Sequence, residues 1–286
     1  GMIYRPVRER PQEEIIDAVG KLSKYCGYSK VSLLSLSTGD YSNIEELVTK
    51  LSQQHYEDNL TLSLPSLRLN TSAVRLMALL PSQRKITLTF APEAGNERLR
   101  RVINKNISEE MIIETIASAL SMSGANIKLY FMLGLPTETI DDVQSIIGLV
   151  AKIRQLGQNF RLQISTSTLI PKPHTACQWL AQDAQEQLLT KYDILKQGLH
   201  RLRVGYSWAA PKVSQIEAAL SRGDRRIGKV IYCAWQSGCK FDAWTEYFNY
   251  QKWLDAFTQS GLDPSFYANR ERDLSEVLPR DHIDIG

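Results

Sequence analysis

The sequence predicts an α/β fold, on three observations. Short apolar runs rich in β-formers recur along the first two thirds of the chain. Helical patterns with one apolar face separate them, and turn or capping residues mark most of the changeovers. A β-α-β-α rhythm of this kind builds a parallel sheet with right-handed crossovers, as a βα barrel or an open doubly wound sheet.

The elements come in this order. Residues 11–25 open with Pro11, which suits a first helical turn, and carry Ile15, Ile16, Val19 and Leu22 at helical spacing. The first β-run is 30–36 (KVSLLSL). A helix is expected over 42–54, with Ser42 as N-cap and Glu45 three residues on, a capping box. The run 60–64 (LTLSL), a short helix over 71–80 and the run 85–90 (KITLTF) come next. A helix over 108–123 begins at Ser108 and places Glu109 and Glu110 in its first turn, where the helix dipole favours acids. The run 126–133 (NIKLYFML), a helix over 139–156, the run 160–168 (FRLQISTST) and a helix over 183–202 complete the alternation. The chain thus starts on a helix with no strand before it, as if its first βα unit had lost its strand.

Past Arg203 the texture changes. One more extended piece is expected at 204–211, then helices over 213–221, 225–236 and 241–260, then a loop-rich tail. Trp208, Trp235, Trp244 and Trp253 fall in this part and are expected to pack it through large aromatic surfaces. The chain divides on this basis into a βα region at 1–203 and a mainly helical extension at 204–286.

Composition sets limits on function. The chain has 286 residues, 43% hydrophobic and 23% charged, as in ordinary globular proteins. A net charge of +3 permits a phosphate-bearing partner without arguing for one. No apolar run is long enough to span a membrane and no signal peptide is evident, so the cytoplasm is the expected location and no membrane partner is expected. Cys26, Cys177, Cys233 and Cys239 have neither disulfide-framework nor zinc-site spacing and read as free thiols.

In parallel α/β folds, ligands bind at the carboxyl ends of the strands. The residues just past each β-run are therefore informative. Ser37, Thr38, Gly39 and Asp40 come after the first; Pro65 to Arg68 after the second; Pro92, Glu93 and Gly95 after the third. Gly134 to Glu138 come after the fourth, and Pro171, Lys172, Pro173 and His174 after the fifth. Glycine and proline break strands and hydroxyls cap helices, so each loop alone has a structural explanation. Five such loops on one rim, three with a carboxylate, point to a site. Glu93 is the sharpest candidate: a carboxylate at a strand end accepts hydrogen bonds from ribose hydroxyls or an ammonium group. Arg98 and Arg101 on the next helix suit a ligand carboxylate. A plain Glu93–Arg98 ion pair is the structural alternative. Arg100, Arg101 and Lys105 read as a solvated face.

The stretches FAPEAGNERLRRVINKNIS, YFMLGLPTETIDDV and IPKPHTACQW, with SLSTGDY, SLPSLR, SRGDRRIGKVI and FDAWTEYFNY, resemble radical S-adenosylmethionine (radical SAM) enzymes. The resemblance is to the branch with an upstream cobalamin-binding-like domain, related to methylthiotransferases and the catalytic subunit of Elongator, and covers essentially the whole chain. It implies a partial, open, TIM-barrel-like βα barrel lacking its first strand. It also implies a [4Fe–4S] cluster held by C-x3-C-x2-C, and reductive cleavage of S-adenosylmethionine (SAM) to a 5′-deoxyadenosyl radical. Ser37, Thr38, Gly39 and Asp40 would meet the SAM methionine amine, Glu93 the ribose or methionine, and Arg98 the methionine carboxylate. Leu133, Gly134 and Leu135 would flank adenine by backbone contact. Ser63, Arg68, Lys172 and His174 would face substrate.

The chain departs from the family in one respect: it has no C-x3-C-x2-C. In this family that motif lies just upstream of a segment like GMIYRPVRER. The expectation is a form truncated after its cluster motif, with no metal site of its own, binding neither cluster nor SAM appreciably and inactive alone. Cobalamin would belong to an upstream domain, itself a partner of this part. Two other readings stay open: an RNA-binding module using the RLRR stretch, Lys105, Arg222, Arg225, Arg226 and the aromatic extension, or a cluster-independent βα enzyme with Glu93 and His174 as acid and base.

Overall fold

The computed structural model describes residues 6–35, 38–54, 60–63, 76, 79, 87–123, 126–157 and 159–284. Chain order is α1 (Gln12–Cys26), β1 (Lys30–Ser32), a 3-10 turn (Thr38–Asp40), α2 (Ile44–Gln54), β2 (Thr61–Ser63) and β3 (Thr87–Glu93). Then come α3 (Glu97–Val102), α4 (Glu109–Ser123), β4 (Asn126–Leu133), α5 (Ile140–Gln155), β5 (Leu162–Thr168) and α6 (Gln185–Arg201). The chain ends with β6 (Gly205–Trp208), α7 (Pro211–Arg222), α8 (Ile227–Gln236), α9 (Tyr250–Gln259) and α10 (Pro264–Ala268).

β1 and β2 pair in parallel with Val31 opposite Leu62. A second sheet has the order β3-β4-β5-β6, and β3 runs parallel to β4 with Phe90 opposite Leu129. The two sheets are separate among the described residues. Among the described residues the architecture is therefore open parallel-sheet α/β, not a closed barrel. Apolar alternation forms these strands: Ile127, Leu129, Phe131 and Leu133 of β4 are all buried, with more exposed residues between them.

The chain divides into two compact units. The first comprises residues 1–131, 144–165 and 198–206, the second 132–143, 166–197 and 207–286. In the first, Val19 of α1, Leu47, Val48 and Leu51 of α2, Val31 and Leu62 form one core cluster. In the second, Ile216 and Ala219 of α7, Val230 and Ala234 of α8, Phe257 of α9 and Tyr267 of α10 form another.

Several helix ends match the chemistry expected of them. The Ser108 hydroxyl accepts from Met111 N–H at 3.1 Å, capping α4. Thr139 and Asp142 form a reciprocal box before α5: Thr139 N–H donates to Asp142 Oδ2 at 2.7 Å, and Asp142 N–H to Thr139 Oγ1 at 3.3 Å. Ser42 behaves differently from expectation. Its N–H donates to Glu9 Oε1 at 3.0 Å rather than to Glu45, and α2 starts two residues later, after Asn43 in a left-handed conformation (φ 58°).

The expected helix over 241–260 is also corrected. Residues 241–249 form turns, and α9 begins only at Tyr250, where Asn249 Oδ1 accepts from Lys252 N–H at 3.1 Å. Within this part Trp253 is buried, but Trp208, Trp235 and Trp244 are exposed, so only one of the four tryptophans fills the core as expected. The helix expected over 71–80 lies almost wholly outside the described residues.

Phe257 is fully buried at the centre of the second core. Phe257→Ala should lower unfolding stability by about 3–5 kcal/mol. Urea unfolding followed by far-UV circular dichroism checks it.

Candidate functional site

The loop after β3 is built around a strained residue. A bulge between Phe90 and Glu93 shifts the ladder so that Glu93 pairs with Phe131. Glu93 itself takes a left-handed conformation (φ 68°). For a residue with a Cβ this costs about 1–2 kcal/mol. Its carboxylate accepts from Lys105 Nζ at 3.0 Å, both side chains being partly buried. Arg98, the other pairing expected for Glu93, is exposed on α3. Gly95 lets this loop pass close to α5: a Cβ there would lie 2.3 Å from Ile146 N. Asn96 caps α3 by accepting from Leu99 N–H at 2.9 Å.

Arg100 corrects the idea of a solvated basic face. It is 1% exposed. Its Nε donates to the Ile107 carbonyl at 2.7 Å and its Nη1 to the Ala94 carbonyl at 3.0 Å, so it staples the two ends of the α3 segment together. Burial pushes its pKa down, against the pull of Glu97, Glu109 and Glu110. Arg101 is exposed and pairs with Glu97 at 3.1 Å.

After β1, the 3-10 turn holds Thr38, Gly39 and Asp40. Thr38 is buried and its hydroxyl donates to the Leu33 carbonyl at 3.2 Å, so it fixes the turn from inside. Asp40 is exposed. Ser37 and Arg68 lie outside the described residues, and Ser63 is described only through its backbone, opposite Ser32.

In the second unit, the loop after β4 is the most tightly organised. Gly134 has φ 79°, which glycine adopts without strain, and its N–H donates to Glu138 Oε1 at 2.9 Å. The same carboxylate oxygen accepts from Lys191 Nζ at 2.5 Å, and Lys191 Nζ also reaches Asp183 Oδ2 at 2.6 Å. Glu138 and Lys191 side chains are only 2% and 10% exposed. Burial pushes the Glu138 carboxyl up, opposed by Lys191 and the Gly134 N–H. Burial alone would push Lys191 down, but Asp183 and Glu138 outweigh it, and its pKa lies above the usual 10.5. Glu138 was legible as a strand-end carboxylate. Lys191 and Asp183 were missed, although Lys191 occupies the apolar stripe of α6 with Leu188, Tyr192 and Leu195, which is itself a signal.

The Leu133 carbonyl accepts from Leu169 N–H at 2.8 Å. This bond brings residues 133–135 beside the segment that leads to Lys172 and His174. Leu133 and Leu135 are both buried. Lys172 Nζ donates to Glu217 Oε1 at 2.8 Å and to Ser221 Oγ at 3.2 Å on α7. His174 is left-handed (φ 55°), its N–H donates to Gln178 Oε1 at 2.9 Å, and its Nε2 is buried without a partner. Thr137, in the loop after β4, is left-handed as well (φ 64°). The first unit thus holds Thr38, Gly39, Asp40, Glu93 and Arg98, and the second holds Leu133, Gly134, Leu135, Lys172 and His174.

The thiols do not fit an iron–sulfur cluster. Cys26 is exposed at the end of α1, Cys177 and Cys233 are half-buried and Cys239 is buried. Burial pushes the Cys177 and Cys239 thiols up, away from the thiolate that a cluster needs. Among the described residues no three His, Cys, Asp or Glu side chains form a metal-holding group. No described helix is long and apolar enough to cross a membrane.

Residues 2–150 match the sequence model of the radical SAM superfamily. The chain is similar to an uncharacterized protein of Methanocaldococcus jannaschii, 34% identical over 232 residues, which is 80% of this chain and 49% of the relative. It therefore spans about half the length of that curated relative. Among solved structures it is similar to coproporphyrinogen III oxidase from Escherichia coli, a radical SAM enzyme, at 16% identity and a TM-score of 0.46 over 68% of this chain and 47% of the other.

The Lys191 cluster yields a prediction. Lys191→Met leaves two carboxylates without their cation and should destabilise the protein by about 3–5 kcal/mol at neutral pH. The penalty should shrink at mildly acidic pH, where the orphaned carboxylates take up protons. In the unaltered protein the raised Lys191 pKa contributes stability that is complete below about 10.5 and lost as pH rises through the folded value. Urea unfolding across pH reads both.

Proposed function

The chain belongs to the radical SAM superfamily, and from that premise we propose that it forms the SAM-holding rim of an iron–sulfur enzyme. The observation that carries the reading is backbone strain in the strand-end loops. Glu93, Thr137 and His174 all sit in left-handed backbone at or beyond the ends of β3, β4 and β5. Such strain gathers at sites where function fixes geometry.

On this reading Glu93 accepts a hydrogen bond from a ribose hydroxyl or the methionine amine, Asp40 faces that amine, and Arg98 pairs with the methionine carboxylate. The backbone of residues 133–135 lies against adenine, held in shape by the Glu138–Lys191 pair. Lys172 and His174 face substrate. The described thiols do not suit a cluster, so we assign its ligands outside these 286 residues. A protein that joins this chain to a cluster is read as acting on SAM reductively, with RNA or protein as substrate classes and cobalamin as a candidate second cofactor.

Calorimetry tests this directly. The chain offers SAM two or three charge-assisted hydrogen bonds, at about 1.5–3 kcal/mol each, without metal chelation. It should bind SAM no tighter than millimolar; submillimolar affinity would contradict the dependence on a cluster. In a longer form with reconstituted cluster, Glu93→Gln should weaken SAM binding roughly tenfold. Unchanged affinity would remove Glu93 from the cradle.

A second reading, RNA binding, draws on α8, where exposed Lys229 shares a helix with exposed Tyr232 and Trp235, and on exposed Arg225 just before it. Its other cations are less available: Arg222 is buried, Lys105 pairs with Glu93, and Arg226 pairs with Asp224 at 2.6 Å. A gel shift that weakens steeply with salt would support it, and no shift at low salt would end it.

A further inference from the structure

The second unit buries more positive charge than it neutralises. Arg222 is 2% exposed and Arg272 7%. Arg222 spends Nη1 on the Ala268 carbonyl at 2.8 Å and Nη2 on the Arg270 carbonyl at 2.9 Å. Arg272 Nη2 donates to the Arg222 carbonyl at 2.6 Å. Carbonyls satisfy donors but carry no net charge. The neighbouring carboxylate, Glu276, is gripped by Arg270 through two bonds of 2.8 Å. Arg272 Nε lies 3.9 Å from it, outside hydrogen-bond range. The Nε atoms of both Arg222 and Arg272 are buried without a partner. Burial first, then Arg272 and Arg270, push the Arg222 pKa down to about 10.

Both side chains line one small cleft. Gln178, Pro173, Leu278 and Arg280 also line it. Of its charged lining residues three are arginines (Arg222, Arg272, Arg280) and one is an acid, Asp281. Asp281 already accepts from Leu278 N–H at 2.7 Å. Arg280 Nη1 donates to the Ser221 carbonyl. A buried guanidinium with an unused donor beside a like charge is costly unless an anion reaches it.

We propose that this cleft is a binding site for a dianionic phosphate group. Three guanidiniums against one carboxylate leave two positive charges, which match a phosphate dianion rather than a carboxylate monoanion. The cleft itself has room for about one water-sized oxygen. One phosphate oxygen therefore inserts toward Arg222 and Arg272, and the rest of the group stays at the surface of the cleft, which Arg280 and Gln178 also line. A phosphomonoester fits with its ester arm directed outward. The site lies wholly in the second unit, borders the loop after β5 through Pro173, and does not depend on the SAM reading.

The test uses the chain as it is, at constant ionic strength set with sodium chloride. Inorganic phosphate and glycerol phosphate are titrated by calorimetry, and the melting temperature is followed with each. Saturable millimolar or tighter binding of phosphate, with a rising melting temperature, is expected; acetate should bind roughly tenfold more weakly. Glycerol phosphate binding at least as well as phosphate identifies an ester as the ligand, whereas its exclusion identifies the free ion. Arg280→Gln, which leaves the buried pair intact, should weaken binding roughly tenfold. Arg272→Lys should weaken it further if folded. Absence of heat and of any melting shift with phosphate overturns the proposal, as does acetate matching phosphate or binding unchanged in Arg280→Gln.

Discussion

An ammonium group shut away from water persists only if carboxylates surround it, and Lys191 meets that condition with Glu138 and Asp183. The shape of the second unit's loop after β4 hangs on this arrangement. Glu138 is held by Lys191 and in turn fixes the Gly134 N–H, so the ion pair sets the course of the loop. Asp183 lies so near that a Cβ on Gly134 would come within 3.2 Å of its Oδ2. Space as well as φ therefore favours glycine at the turn. The same face of α6 reaches the next strand, where the Tyr192 hydroxyl and Thr168 Oγ1 share a hydrogen bond at 2.9 Å. One stripe of one helix thus fixes the ends of two strands.

Buried cations recur as structural ties, but they are not equivalent. Arg100, Arg222 and Arg272 all donate to backbone carbonyls in irregular segments or at helix ends. Arg100 does so in a field of acids, since Glu97, Glu109 and Glu110 all favour its charge. Around Arg222 the largest charge effects come from Arg272 and Arg270, which oppose it. A tie alone accounts for Arg100. It does not account for Arg222, where a second guanidinium has been brought against the first and the compensating carboxylate is engaged elsewhere.

Alternating apolar residues made the strands legible, because period-two burial is written directly in residues such as Ile127, Leu129, Phe131 and Leu133. Ser108 was legible as a cap for the same kind of reason: its partner is three residues away. Errors arose where a polar group finds its partner far along the chain. Ser42 N–H goes to Glu9, and Lys191 reaches back 53 residues to Glu138. Sequence separation hides such pairings, and local charge patterns then read as solvated faces. Aromatic content misled in the opposite direction: Trp235 and Trp244 face solvent although their chemistry favours burial.

The loop after β3 shows how magnitudes separate structure from function. The left-handed backbone at Glu93 costs about 1–2 kcal/mol, and a glycine would remove most of that cost. The ion pair with Lys105, about a quarter exposed on each side, returns about 0–1 kcal/mol. Packing does not close the difference, because the side chain is not part of a core cluster. The turn needs the backbone conformation, whereas the carboxylate serves only the ion pair with Lys105 among the described contacts. A strained position that carries an acid where glycine would be more stable is the feature on which the proposed ligand role of Glu93 rests, and in the structure that carboxylate receives the ammonium of Lys105.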